Sequence, residues 1–112
     1  MKKKTIEIPI YCAKLTIVID KDLSYVEKKY KTKSLREFGA VTFKDEDRYR
    51  DYIVAFEYCS GSIVAHEIVH IINLLYIDCG IELDRENDEN QAYLTGWLFD
   101  EMYNFIKSAD KK

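Results

Sequence analysis

The chain has 112 residues, 47% of them hydrophobic, with 17 Lys/Arg against 20 Asp/Glu, one proline and four glycines. That is enough for one modest core, read as a single domain over residues 1–112, and too little for a two-lobed cleft. So little proline and glycine excludes collagen-like, linker-rich or extensively disordered chains, and three cysteines without a C-x-x-C pair read as reduced thiols, not a disulfide framework.

The elements predicted in chain order are strand, strand, helix, strand, strand, helix, helix. Residues 5–10 and 14–20 alternate or run apolar as strands, joined near Tyr11-Cys12-Ala13. Asp22 or Ser24 can start a short helix to about Tyr30. Residues 40–44 and 49–58 read as a hairpin around Asp45-Glu46-Asp47-Arg48. Ser60-Gly61-Ser62 then offers N-cap chemistry for an apolar run over 63–77, and Gly80 suits the C′ position. Being apolar almost all round, that run predicts a buried central helix. At about fifteen residues it falls short of the about twenty that span a bilayer. Asn87 or Asp88 can cap a last helix patterned by Leu94, Trp97, Leu98, Met102, Phe105 and Ile106, its aromatics read as core. The fold class is therefore α+β: an antiparallel or mixed sheet, a buried central helix and a C-terminal helix.

The central helix carries His66-Glu67-Ile68-Val69-His70, and the chain's only two histidines are both in it. Residues four apart on a helix lie about 40° apart around the axis and roughly 6 Å along it. Both imidazoles can therefore close on one ion at the Zn–N distance of about 2.0–2.1 Å. Glu67 projects beside that ion and can take a proton from a water it holds. A His-Glu-His set in so apolar a helix is costly unless something satisfies it, and a metal is the simplest satisfier. A catalytic zinc needs a third protein ligand. With no histidine left, a carboxylate is expected. Glu89, in the first turn of the last helix, is the strongest candidate; Asp84, Glu86 and Asp88 are rivals. Small residues at Ala92 and Gly96, on the same side as Glu89, would let that helix approach the motif helix closely.

His66-Glu67-x-x-His70 followed by a helix-borne Glu89 resembles the gluzincin group of zinc metallopeptidases. Glu89-x-x-Ala92 with its aromatic and small neighbours is similar to the third-ligand helix of minimal ImmA/IrrE-type peptidases. The longer run from Gly80 to Trp97 looks like small metallopeptidase-like proteins of tailed bacteriophages. The resemblance spans roughly residues 63–103. It implies a zincin-like domain with Zn2+ held by His66, His70 and Glu89, and with Glu67 as catalytic base. Larger gluzincins place an Asp four positions after the third ligand to orient a histidine; here Tyr93 stands there.

The implied reaction is amide hydrolysis. Glu67 removes a proton from the attacking water and passes it to the leaving nitrogen. A tyrosine could stabilise the oxyanion, but nine tyrosines give no basis for choosing one. The partner expected is a protein or peptide, extended along a sheet edge. A non-catalytic, zinc-stabilised binding or assembly protein, such as one associated with a phage virion, is the competing expectation.

Charge is polarised, with ten Lys/Arg and four Asp/Glu in residues 1–36 and seven against sixteen in 37–112. The run Lys28-Lys29-Tyr30-Lys31-Thr32-Lys33 reads as a solvated helix face and loop before a nucleic-acid site. Glu7 and Lys14 interrupt the N-terminal apolar run and no small-residue cleavage site follows. The expected location is the cytoplasm, that of the host if a phage encodes the chain, with no membrane partner.

Overall fold

An apolar run such as Leu15-Thr16-Ile17-Val18 needs cover on both faces of its strand. The computed structural model, which describes residues 1–21, 23–30 and 39–110, supplies that cover. The order is β1 (Lys2–Ile8), β2 (Ala13–Ile19), α1 (Ser24–Tyr30), β3 (Ala40–Lys44), β4 (Asp51–Phe56), α2 (Gly61–Cys79) and α3 (Glu89–Asp110). This is the expected α+β succession.

The four strands form one mixed sheet in the order β1-β2-β4-β3. β1 and β2 pair antiparallel, as do β3 and β4, and the parallel β2–β4 pairing joins the two hairpins, with Leu15 opposite Tyr52 and Ile17 opposite Val54. β1 stops at Ile8 because Pro9 has no N–H to continue the ladder. Its exposed Lys2, Lys3 and Lys4 sit on an edge strand, where charge discourages pairing with another chain.

Leu15, Ile17, Tyr52, Val54 and Phe56 share a core with Val64, Ile68, Ile71 and Leu75 of α2 and with Leu94, Leu98 and Met102 of α3. Val18, Ile53 and Ala55 form a second core with Leu23 and with Val26 of α1. α1 has only seven residues, too few for a helix to persist in water alone. Each fully buried aliphatic side chain contributes about 1.5–3 kcal/mol, so Leu23 and Val26 hold α1 on the sheet.

Two expectations change. α2 extends over 19 residues, long and apolar enough by length and composition alone to cross a bilayer. It is not buried all round: the sheet and α3 cover Val64, Ile68, Ile71, Ile72 and Leu75, while Ala65, His66, Val69, His70 and Ile77 stay exposed. Nor do the small residues of α3 face α2. Ala92 and Gly96 are exposed, and a Cβ added at Gly96 would meet nothing within 4 Å. The contact stripe is Leu94, Leu98, Met102 and Ile106, repeating every four residues. Of the basic run, Lys31 to Lys33 lie outside the described residues. No disulfide joins the three cysteines, but Cys12 is exposed and Cys59 and Cys79 are half-buried.

Candidate metal centre

Local chemistry fixes where α2 begins and ends. The Ser60 hydroxyl accepts from the Ile63 amide at 3.3 Å. At the other end Gly80 takes a left-handed φ of 68°, and the Ile81 amide reaches back to the Tyr76 carbonyl at 2.8 Å. Helical periodicity then puts His66 and His70 on the open flank, while Glu67, one residue on, turns toward β3.

The two imidazoles are close, with Nε2 of His66 3.2 Å from Nε2 of His70 and the rings 71° apart in plane. Two neutral rings at that distance must share one proton, one donating and the other accepting. The same distance suits an ion. Nitrogens 3.2 Å apart subtend about 103° at a metal about 2.05 Å from each, near a tetrahedral angle. The ligand atoms of His66, Glu67 and His70 all lie within 4.8 Å of one another, so this group could hold a metal ion.

Glu67 is 5% exposed, a carboxylate almost out of water. Such a group needs partners, and Thr42 Oγ1 on β3 donates to Glu67 Oε1 at 2.8 Å. Oε2 lies 3.8 Å from His66 Nε2, beyond hydrogen-bond length. In front of Glu67 and His66 opens a cleft of about 390 Å³, walled by Gly39, Ala40, Tyr58, Ser62 and Ile63. Tyr58 hangs over Gly39 so closely that a Cβ there would lie 3.1 Å from the phenol oxygen. A larger cavity of about 680 Å³ opens between the two hairpin turns, lined by Glu7, Lys14, Arg48, Tyr49 and Asp51. Its charges are of mixed sign and no imidazole lines it, whereas His66 and Glu67 line the smaller cleft.

The remaining carboxylates stand apart from this group. Glu89 opens α3 and is exposed, on the same outward flank as Ala92 and Gly96. Asp84, Glu86 and Asp88 are also exposed. Asp84 is engaged locally, its Oδ1 accepting from the Glu86 amide at 3.0 Å. The Asp88 carbonyl accepts from the Ala92 amide at 2.9 Å, which places Asp88 at the N-cap position of α3. Tyr93, also on α3, is 75% exposed.

Sequence reasoning missed Thr42, Gly39 and Tyr58. Alternation in β3 separates Val41 and Phe43 from Ala40, Thr42 and Lys44, and the apolar pair reads as the buried side. Both sides are covered: Val41 and Phe43 pack on the α1 side, while Thr42 and Lys44 reach Glu67 and Asp78 of α2. A search of family models, of curated proteins and of solved structures found no match for the chain.

Proposed function

We propose that the chain is a zinc-dependent peptidase whose ligands include His66 and His70 and whose general base is Glu67. The observation that carries this reading is the 3.2 Å approach of the two Nε2 atoms beside a nearly buried carboxylate. His66 and His70 would hold the ion; Glu89, which lies outside the close His66-Glu67-His70 group, is proposed as third ligand on the gluzincin resemblance alone. When bound, zinc supplies Lewis acidity, polarising a carbonyl and lowering the pKa of a water it holds to about 7.

The protein's own part follows from the cleft. An extended peptide would lie along β3, which among the described residues pairs on one side only, with β4. Glu67 Oε2 would accept a proton from water as that water adds to the scissile carbonyl. The same oxygen would return the proton to the amide nitrogen as the C–N bond breaks, leaving a free amine and a carboxylic acid that then ionises to solvent. Burial of Glu67 keeps bulk water from competing for its proton.

One observation favours a second reading. The close group contains Glu67 and not Glu89. If Glu67 itself ligates, no base remains and the ion serves folding or binding. Elemental analysis of Glu67→Gln and Glu89→Gln separates the two. Zinc kept by Glu67→Gln but lost by Glu89→Gln, with wild-type cleavage of a peptide library, supports the peptidase. The reverse pattern of zinc loss, without cleavage, sinks it in favour of a non-catalytic zinc protein.

A further inference from the structure

We infer that Thr42 is a positioning residue for Glu67, selecting which carboxylate oxygen acts as the base; this rests on the peptidase reading. A glutamate's terminal torsion is broad and roughly two-fold, so an untethered carboxylate presents either oxygen. Thr42 Oγ1 donates to Oε1 at 2.8 Å, which occupies a lone pair of that oxygen, makes it the less basic of the two and anchors the carboxylate plane. Oε2 is left on the side of His66, 3.8 Å from its Nε2. The carboxylate plane is thereby held with one oxygen bound and the other toward the metal ligands.

Thr42 is well placed to hold that angle. It is β-branched, with a restricted χ1, and it sits mid-strand in β3, in register with Val54 of the central strand β4. Its neighbours on the same face, Ala40 and Lys44, bracket it; Ala40 walls the cleft and Lys44 pairs with Asp78 at 3.2 Å. The tether therefore runs from rigid sheet to the motif helix. It also joins the base to the strand along which substrate is proposed to lie, so the base and a docked backbone share one frame. A reacting group displaced by about 1 Å can lose about a hundredfold in rate.

The test uses the full zinc-loaded chain and an internally quenched oligopeptide library, followed by kinetics on the best-cleaved member. Thr42→Val removes the hydroxyl at nearly constant shape, Thr42→Ala removes it without adding a methyl, and Thr42→Ser restores it. The expected result is a kcat lower by about ten- to a hundredfold in Val and Ala, KM within about twofold, zinc content unchanged and Ser close to wild type. A lower melting temperature with wild-type kcat would reduce Thr42 to a structural partner and overturn the inference. Loss of zinc together with kcat would also overturn it, because Thr42 would then be holding a ligand. No cleavage by the wild type would bring down the peptidase reading and this inference with it, a result visible without any variant.

Discussion

Tyr52 on β4 donates its phenol proton to Asp78 at the far end of α2, Oη to Oδ2 at 2.5 Å. An acid in the last turn of a helix faces the negative end of the helix dipole. Here the Tyr52 phenol and the Lys44 ammonium, 3.2 Å from Oδ1, offset that cost. The contact fastens the motif helix to β3 and β4 some two turns beyond His70, and so helps fix how Glu67 meets Thr42.

This pair sets a pH window. The hydrogen bond from Tyr52 holds the Asp78 carboxyl below its ordinary 3.8, with Lys44 assisting. Burial, and then the Asp78 partner, push the Tyr52 phenol above its ordinary 10.0. Asp78 therefore adds stability above about pH 3.8 that is lost as pH falls through its lower folded value. Tyr52 adds stability below about pH 10 that is lost as pH rises through its higher folded value. Tyr52→Phe should cost about 1–3 kcal/mol at neutral pH, measured by urea unfolding. The gap to wild type should narrow as pH falls below 3.8 towards the lower folded value of Asp78, and an unchanged gap would show that Asp78 is not the relevant acceptor.

The outward flank of α3 makes a second prediction. Gly96 lies mid-helix in open surroundings, so Gly96→Ala should stabilise the chain by about 0.5–1 kcal/mol. Leu98, two residues on and fully buried, should cost about 2–5 kcal/mol when cut to Ala. Thermal unfolding of both variants checks this. A destabilising Gly96→Ala would mean that α3 packs through its small residues after all.

What could be read in advance was local. Ser60, Gly80 and the His66–His70 spacing each act within one or two helical turns, and all three appear where their chemistry puts them. The parallel β2–β4 pairing was not legible, since Leu15 and Tyr52 meet across 37 residues and no turn chemistry links them. Thr42 was hidden for a related reason: alternation separates two faces of a strand without saying that both are covered. The small residues of α3 misled because Ala92 and Gly96 permit close approach without causing it. Leu94, Leu98, Met102 and Ile106 bring the apolar area that decides the contact face.

Strain in the first hairpin offers a third prediction. Ile10, 93% exposed, adopts φ 78° in the β1–β2 turn, where a β-branched side chain is crowded and no burial compensates. Ile10→Gly should relieve about 1–2 kcal/mol of that crowding. The gain is offset in part by greater freedom of the unfolded chain. The net expectation is a small rise in melting temperature, with the fold unchanged by circular dichroism. A fall of several degrees would show that Ile10 makes a contact its exposure conceals.

Metal linkage is the most direct check on the site, because it needs no substrate. An ion that binds the folded chain and not the unfolded one stabilises it by RT ln(1 + [L]/Kd), about 2.7 kcal/mol at a hundredfold excess over Kd. For a chain of this size that is roughly a 10 °C rise in melting temperature. Zinc added to chelator-stripped protein should produce it, with a midpoint that moves with zinc concentration. His70→Ala should respond far less, since His66 alone keeps one nitrogen of the 3.2 Å pair. Both side chains of that pair are exposed, so the substitution should leave the metal-free melting temperature near wild type. Equal shifts in the two proteins would place the zinc elsewhere and remove the ground for reading this cleft as a peptidase site.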